Sequence, residues 1–181
     1  MPQKVGIILW IVLPLQALLK SAELMVGAGK IEEARIKYES YDANEWESVY
    51  FDEYSGGFVV IKKIRIAQSE QSKNEKIKFA KEYGMCKVLA TGGNSIEFLE
   101  DKRGSYDIHL NDIKADLKKT GSHINIVNYA KEAIRKQGAE IVVFEFENNT
   151  KDIHTQLLKL GNTYDIHGYY YFSGSKNIIR F

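Results

Sequence analysis

Two aspartates and a lysine fall close together in Ser105 to Thr120, SYDIHLNDIKADLKKT. Read as two strands joined by a turn at Asn111-Asp112, the segment puts Asp107 on the first strand and Asp116 and Lys118 on the second. Side chains alternate across a strand, so Asp116 and Lys118 share one face while Ile113, Ala115 and Leu117 share the other. Two carboxylates and an ammonium converging on a hairpin suit both a divalent cation and a phosphodiester. A hard cation such as Mg²⁺ takes one or two protein carboxylates and keeps several waters, and a nearby positive group offsets the charge that builds on a phosphate in the transition state. In this scheme Asp107 and Asp116 hold the cation and Lys118 meets the phosphate. Glu75, one helix earlier, is a further ligand or binds a metal-held water. The bland explanation is a surface hairpin whose Asp116–Lys118 pair is worth at most about 1 kcal/mol.

The elements that must position these groups follow from patterning. Val49–Phe51 and Phe58–Ile61 form a hairpin around Gly56-Gly57. Gln68 to Asn74 is polar and predicts a loop. Asn74 to Tyr83 has helical spacing and stops at Gly84, with Glu75 four residues before Phe79 and on its face. Met85–Leu89 and Ser95–Leu99 then predict strands around the Gly92-Gly93-Asn94 turn. After the Asp107–Lys118 hairpin, a helix begins at Ser122 or His123. It carries an apolar stripe of Ile126, Ala130, Ala133 and Ile134, and Gly138 ends it. Glu140–Phe146 reads as a strand buried on both faces. A helix over Asp152–Leu160 ends at Gly161, and Gly168–Phe172 and Asn177–Phe181 are closing strands. This order predicts an α/β (α+β) fold with a central mixed sheet flanked by helices.

The 181 residues suit one main domain, placed at 46–181, after an N-terminal leader and helical connector over 1–45. Val5 to Leu19 is apolar on all sides and shorter than the roughly 18 to 20 residues that span a bilayer. It is a signal-like segment with Val26-Gly27-Ala28 as a cleavage site, a membrane-associated leader, or a helix buried against a partner. Ile31 to Glu47 reads as a solvated helix or connector. A balance of 25 Lys+Arg against 24 Asp+Glu makes nucleic-acid binding a matter of local charge only. Lys114, Lys118, Lys119, Lys131, Arg135 and Lys136 cluster around the hairpin and the helix after it, and together would make a basic face for a phosphate backbone. The single cysteine, Cys86, excludes an internal disulfide and a cysteine-based zinc site, and its apolar neighbours mark it as a buried thiol.

Asp107 followed by Asp116-Leu117-Lys118, after a helix bearing Glu75, resembles the PD-(D/E)xK nuclease core, with Tyr106 where the often variable proline stands. The ordered runs SGGFVVIKK, NEKIKFAKEYGM, YDIHLNDIKADLKKT and NIVNYAKEAIRKQGAEIVVFEF resemble the C-terminal nuclease domains of contact-dependent growth-inhibition toxins and related polymorphic toxins. The resemblance covers roughly Ser48 to Phe146. It implies a restriction-endonuclease-like core and a metal-dependent nuclease using Mg²⁺ or Mn²⁺ ahead of Zn²⁺, acting on tRNA or DNA and restrained by a cognate immunity protein. It also implies catalytic roles for Glu75, Asp107, Asp116 and Lys118, the three acids as metal ligands, and a polar role for Gln137 after the second helix. The chain departs from the pattern in its apolar leader, which leaves the delivery route open.

Two other functions fit the residues. A metal-independent RNase would use a pair drawn from His109, His123, His154 and His167 as general acid and base, with Lys118 at the phosphate. A noncatalytic binding module would keep the fold and leave the acids unused.

Overall fold

Phe58–Lys62 and Ile141–Phe146 carry runs of apolar and β-branched residues with no solvent-facing side, and each becomes an interior strand. In a computed structural model, which describes residues 27–181, they belong to one mixed sheet of eight strands. These are β1 (Trp46–Phe51), β2 (Phe58–Lys62), β3 (Ser95–Phe98), β4 (Ile108–Leu110), β5 (Ile113–Thr120), β6 (Ile141–Phe146), β7 (Gly168–Phe172) and β8 (Ile179–Arg180), and they lie side by side in chain order. The pairs β2–β3, β5–β6 and β6–β7 are parallel and the others antiparallel. Parallel neighbours need crossovers, and helices supply them. The helices are α1 (27–39), α2 (Lys63–Ser69), α3 (Lys73–Thr91), α4 (Ile126–Arg135) and α5 (Lys151–Tyr164). The fold is therefore α+β, with helices on both faces of the sheet. The apolar leader over 5–19 lies outside the described residues, among which no helix is long and apolar enough to cross a membrane.

Alternation sorts the core into two layers. Val59, Ile61, Ile96, Phe98, Ile108, Leu110, Ala115 and Leu117 pack against Met85, Cys86, Leu89 and Ala90 of α3. Val142, Phe144, Phe146 and Tyr170 pack on the opposite face against Ile126, Ala130 and Ala133 of α4 and Ile153, Leu157 and Leu160 of α5. Val142, Val143 and Phe144 are all fully buried, as a strand enclosed on both faces requires.

Several expectations need correction. The helix predicted to stop at Gly84 runs on to Thr91, so Met85–Leu89 is helix and not strand. Phe79, Cys86, Leu89 and Ala90 recur at the helical period along the sheet-facing side; the short apolar run imitates a buried strand. Gly84 is exposed and a Cβ there would meet nothing within 4 Å, so it interrupts neither packing nor hydrogen bonding. α2 extends through Ser69, into the segment predicted as a loop. α5 passes Gly161 and ends at Asp165, whose φ of 52° is left-handed. The last strand shrinks to Ile179–Arg180.

The hairpin carrying the acids closes at Asn111 and Asp112, with φ of 51° and 67°. That is the backbone of a two-residue turn matched to strand twist, and Asn and Asp tolerate it best after glycine. Its arms are unequal. β4 has three residues and β5 eight, and the β4–β5 ladder ends at Ile108 opposite Ala115. From Asp116 to Thr120, β5 pairs only with β6. The sheet therefore splits at Asp107 and Asp116.

Candidate active site at the split of the sheet

Asp107 lies one residue before β4, not within it; its N–H still donates to the Ala115 carbonyl at 3.2 Å, so it holds the register of the ladder. Its carboxylate takes the place of the missing strand, with the Leu117 N–H donating to Asp107 Oδ2 at 2.9 Å. Ala115 and Leu117 point toward α3, so Asp116 and Lys118 point to the α4 side. Asp116 is completely buried, and Lys118 Nζ stands 2.6 Å from its Oδ2. Gln137, just past α4, completes the surroundings. With its amide nitrogen turned inward it donates to both Asp116 oxygens at 3.1 Å, whereas the opposite orientation would set the amide oxygen against the carboxylate. Burial, and then the neighbouring Asp107 charge, push the Asp116 carboxyl up to about 7 against the opposing pull of Lys118.

The structure thus brings Asp107, Asp116, Lys118 and Gln137 together. Glu75 sits elsewhere in the local architecture: its N–H donates to Ser72 Oγ at 3.1 Å, in the S-x-x-E spacing of a helix capping box, and its carboxylate lies 3.9 Å from Arg65. The α3 acid whose charge meets that of Asp107 is Glu82. Burial, and then Asp107, raise it to about 7, opposed by Arg65 and Lys78. Arg65, itself 1% exposed, donates to Glu82 Oε2 at 3.0 Å and lies over the rings of Phe79 and Phe98. Glu82 is seven residues, two helical turns, from Glu75. Its signal in the sequence was that repeat, which already lay inside the helix expected over Asn74–Tyr83. Among the described residues, no three His, Cys, Asp or Glu side chains are grouped so as to hold a metal ion. The triple shell of Glu75, Asp107 and Asp116 is not assembled, and Asp107 and Asp116 remain as the carboxylate pair.

The basic residues do not form one face. Lys119, alternate to Lys118, turns to the α3 side, where it pairs with Glu145 at 2.6 Å and borders a cleft with Lys78, Lys81 and Glu82. Glu145 is pushed up by burial, but bonds from Lys119, Ser173 and Tyr171 outweigh this and lower it. Lys131 Nζ lies 3.7 Å from the centre of the Tyr164 ring, and Lys114 Nζ 5.8 Å from that of Tyr106. Arg135 and Lys136 are exposed at the end of α4.

Of the histidines, His109 stands two residues from Asp107. It shares a sheet face with Asp116, pairs across from Lys114, and bonds Glu97 and Tyr106. His154 contacts Asn149, and His167 contacts Asp165.

No family model matches the chain, and no curated protein matches it. A solved complex, the CdiA-CT/CdiI toxin and immunity complex from Burkholderia pseudomallei, is similar at 16% identity and a TM-score of 0.47, over 62% of this chain and 89% of that one.

Proposed function

We propose that this protein is a metal-dependent endonuclease that hydrolyses phosphodiester bonds, with tRNA ahead of DNA as substrate. The observation that supports it is the abutment of Asp107 and Asp116 at the split of the sheet, with Lys118 beside them. Two neighbouring carboxylates, one fully buried, resist simultaneous ionisation, and a divalent cation is the charge that lets both ionise. A pair of carboxylates suits Mg²⁺ or Mn²⁺, which retain waters, better than Zn²⁺, which uses three protein ligands in catalytic sites.

When bound, such an ion polarises a phosphoryl oxygen and makes a water acidic enough to attack. The chain's own groups do the rest. Asp107 and Asp116 hold the ion, and the Gln137 amide fixes the Asp116 carboxylate through both oxygens. The Lys118 ammonium lies where charge grows on the phosphate. Glu82, raised to about 7 beside Asp107, is able to hold or release a proton near neutrality.

The ordered likeness to contact-dependent growth-inhibition toxin domains supports a toxin role, restraint by a cognate immunity protein and the preference for tRNA. The test is incubation of purified protein with total tRNA and plasmid DNA, with Mg²⁺, Mn²⁺ or EDTA. Cleavage that needs the metal and disappears in Asp116→Ala is expected. Cleavage that survives EDTA, or survives Asp116→Ala, overturns the proposal.

A further inference from the structure

On the α3 side of the sheet, opposite the face to which Asp116 and Lys118 point, lies a cleft of about 260 Å³ bordered by Lys78, Lys81 and Glu82 of α3 and by Leu117 and Lys119 of β5. Leu117 ties it to the carboxylate pair, because its side chain lines the cleft while its N–H donates to Asp107 Oδ2 at 2.9 Å. The helical residues along the cleft run from Asn74 to Met85, roughly 16 Å at 1.5 Å per residue.

Three ammonium groups meet one carboxylate in this lining. Lys78 is held by Asp101 and Lys119 by Glu145, yet 43% and 36% of their side chains stay in solvent. Lys81 is exposed and enters neither pair. Its neighbours on the helix at three and four residues are Ile77, Lys78, Gly84 and Met85, none of them acidic. Ile77, 45% exposed, adds an apolar surface for the face of a base.

The strand itself contributes a donor. The Ala115 carbonyl accepts from the Asp107 N–H and the Leu117 N–H donates to the Asp107 carboxylate, so alternate residues of β5 aim their backbone groups at the side where β4 runs. Beyond Ala115 no strand lies there, and the Lys119 N–H therefore faces the open edge beside three lysines. One free N–H is too little for an added peptide strand, which needs a ladder of them. It suits a phosphate oxygen, which accepts equally from backbone N–H and lysine. Packed layers of secondary structure lie about 10 Å apart, whereas the major groove of a duplex alone is about 12 Å wide; the cleft admits one strand and not two.

We infer that this cleft is the path of a single nucleic-acid strand: Lys78, Lys81 and Lys119 neutralise phosphates on one side of the scissile bond, and the Lys119 N–H donates to one of them. The inference rests on the nuclease proposal for the place of the scissile phosphate, and it narrows the substrate to unpaired segments such as the loops and ends of a folded RNA.

The experiment follows the fluorescence anisotropy of a labelled single-stranded RNA bound by the full chain carrying Asp116→Asn, which leaves the RNA uncut, over a series of salt concentrations. Log affinity falls with log salt, and adding Lys81→Gln makes that slope shallower by about 0.7, Lys78→Gln with Lys81→Gln by about 1.4. Arg135→Gln, at the end of α4, leaves the slope unchanged. Lys119→Gln uncovers the buried Glu145, so the exposed Lys81 decides the outcome. An unlabelled duplex of the same sequence competes more weakly than the unlabelled single strand. A slope unchanged in the double variant, an equal drop in Arg135→Gln, a duplex that competes as well as the single strand, or no binding of RNA overturns the inference. Metal-dependent cleavage by wild type alongside any of these leaves the nuclease proposal standing. Lysine-dependent binding by a chain that cleaves nothing with Mg²⁺ or Mn²⁺ upholds the strand path and removes the nuclease.

Discussion

Replacing Asp116 with asparagine is expected to stabilise the folded protein at alkaline pH while abolishing cleavage. Asp116 is fully buried, and its carboxyl moves from 3.8 in the open chain to about 7 in the fold. At 1.36 kcal/mol per tenfold change, the ionised form burdens the fold by roughly 4 kcal/mol above pH 7. Asparagine removes that burden but leaves Lys118 without its counterion. Lys118 keeps 20% of its side chain in solvent, so about 1–2 kcal/mol is returned. A net gain of about 2 kcal/mol at pH 8 follows.

The sign with pH is fixed by linkage. Folded Asp116 keeps a proton that the unfolded chain has already released, so the folded state binds more protons between about pH 4 and 7. Its stability contribution is therefore intact below pH 4 and is lost as the pH rises through 7, and Glu82, raised to about 7 as well, adds a slope of the same sign. The variant's advantage should vanish near pH 4 and be complete at pH 8. Urea unfolding followed by circular dichroism at both pH values measures it. A variant less stable than wild type at pH 8, or an advantage equal at both pH values, would refute the assignment of Asp116 as a buried, electrostatically burdened carboxylate.

Two further outcomes are expected. Mn²⁺ at about 100 times its dissociation constant should stabilise wild type by about 2.7 kcal/mol, or roughly 5–10 °C in Tm at this chain length, and Asp107→Asn should lose the shift; a wild type indifferent to Mn²⁺ in differential scanning fluorimetry removes the metal site. Arg65→Met should cost about 3 kcal/mol at pH 8, because Glu82 is left buried and charged, and less at pH 5, where Glu82 takes up a proton. The same loss at both pH values in urea titrations would mean that Arg65 acts only by packing between Phe79 and Phe98.

The amino-acid sequence by itself determined what depends on short-range repeat. The two-residue period placed Asp116 and Lys118 on one face of β5, the Asn111-Asp112 pair closed the hairpin, and the unbroken apolar run marked β6 as enclosed on both sides. Those rules act over a few residues and need no partner. Tertiary structure decided what depends on where elements end and what faces them. The sheet-facing repeat of α3 carries that helix past Gly84, and packing of the helix on the sheet sets Glu82, not Glu75, where its charge meets that of Asp107, while Glu75 stays in the helix cap. Lys131 is drawn onto the Tyr164 ring, and Lys119 to Glu145 on the far face, so a cluster in sequence is dispersed in space. Tyr41, Glu97 and His109 are joined across 56 and 12 residues of chain, a pairing set by strand register and invisible to any local pattern. The physical reason is the same throughout: backbone geometry is periodic and local, whereas burial and electrostatics depend on distances that exist only once the strands have paired.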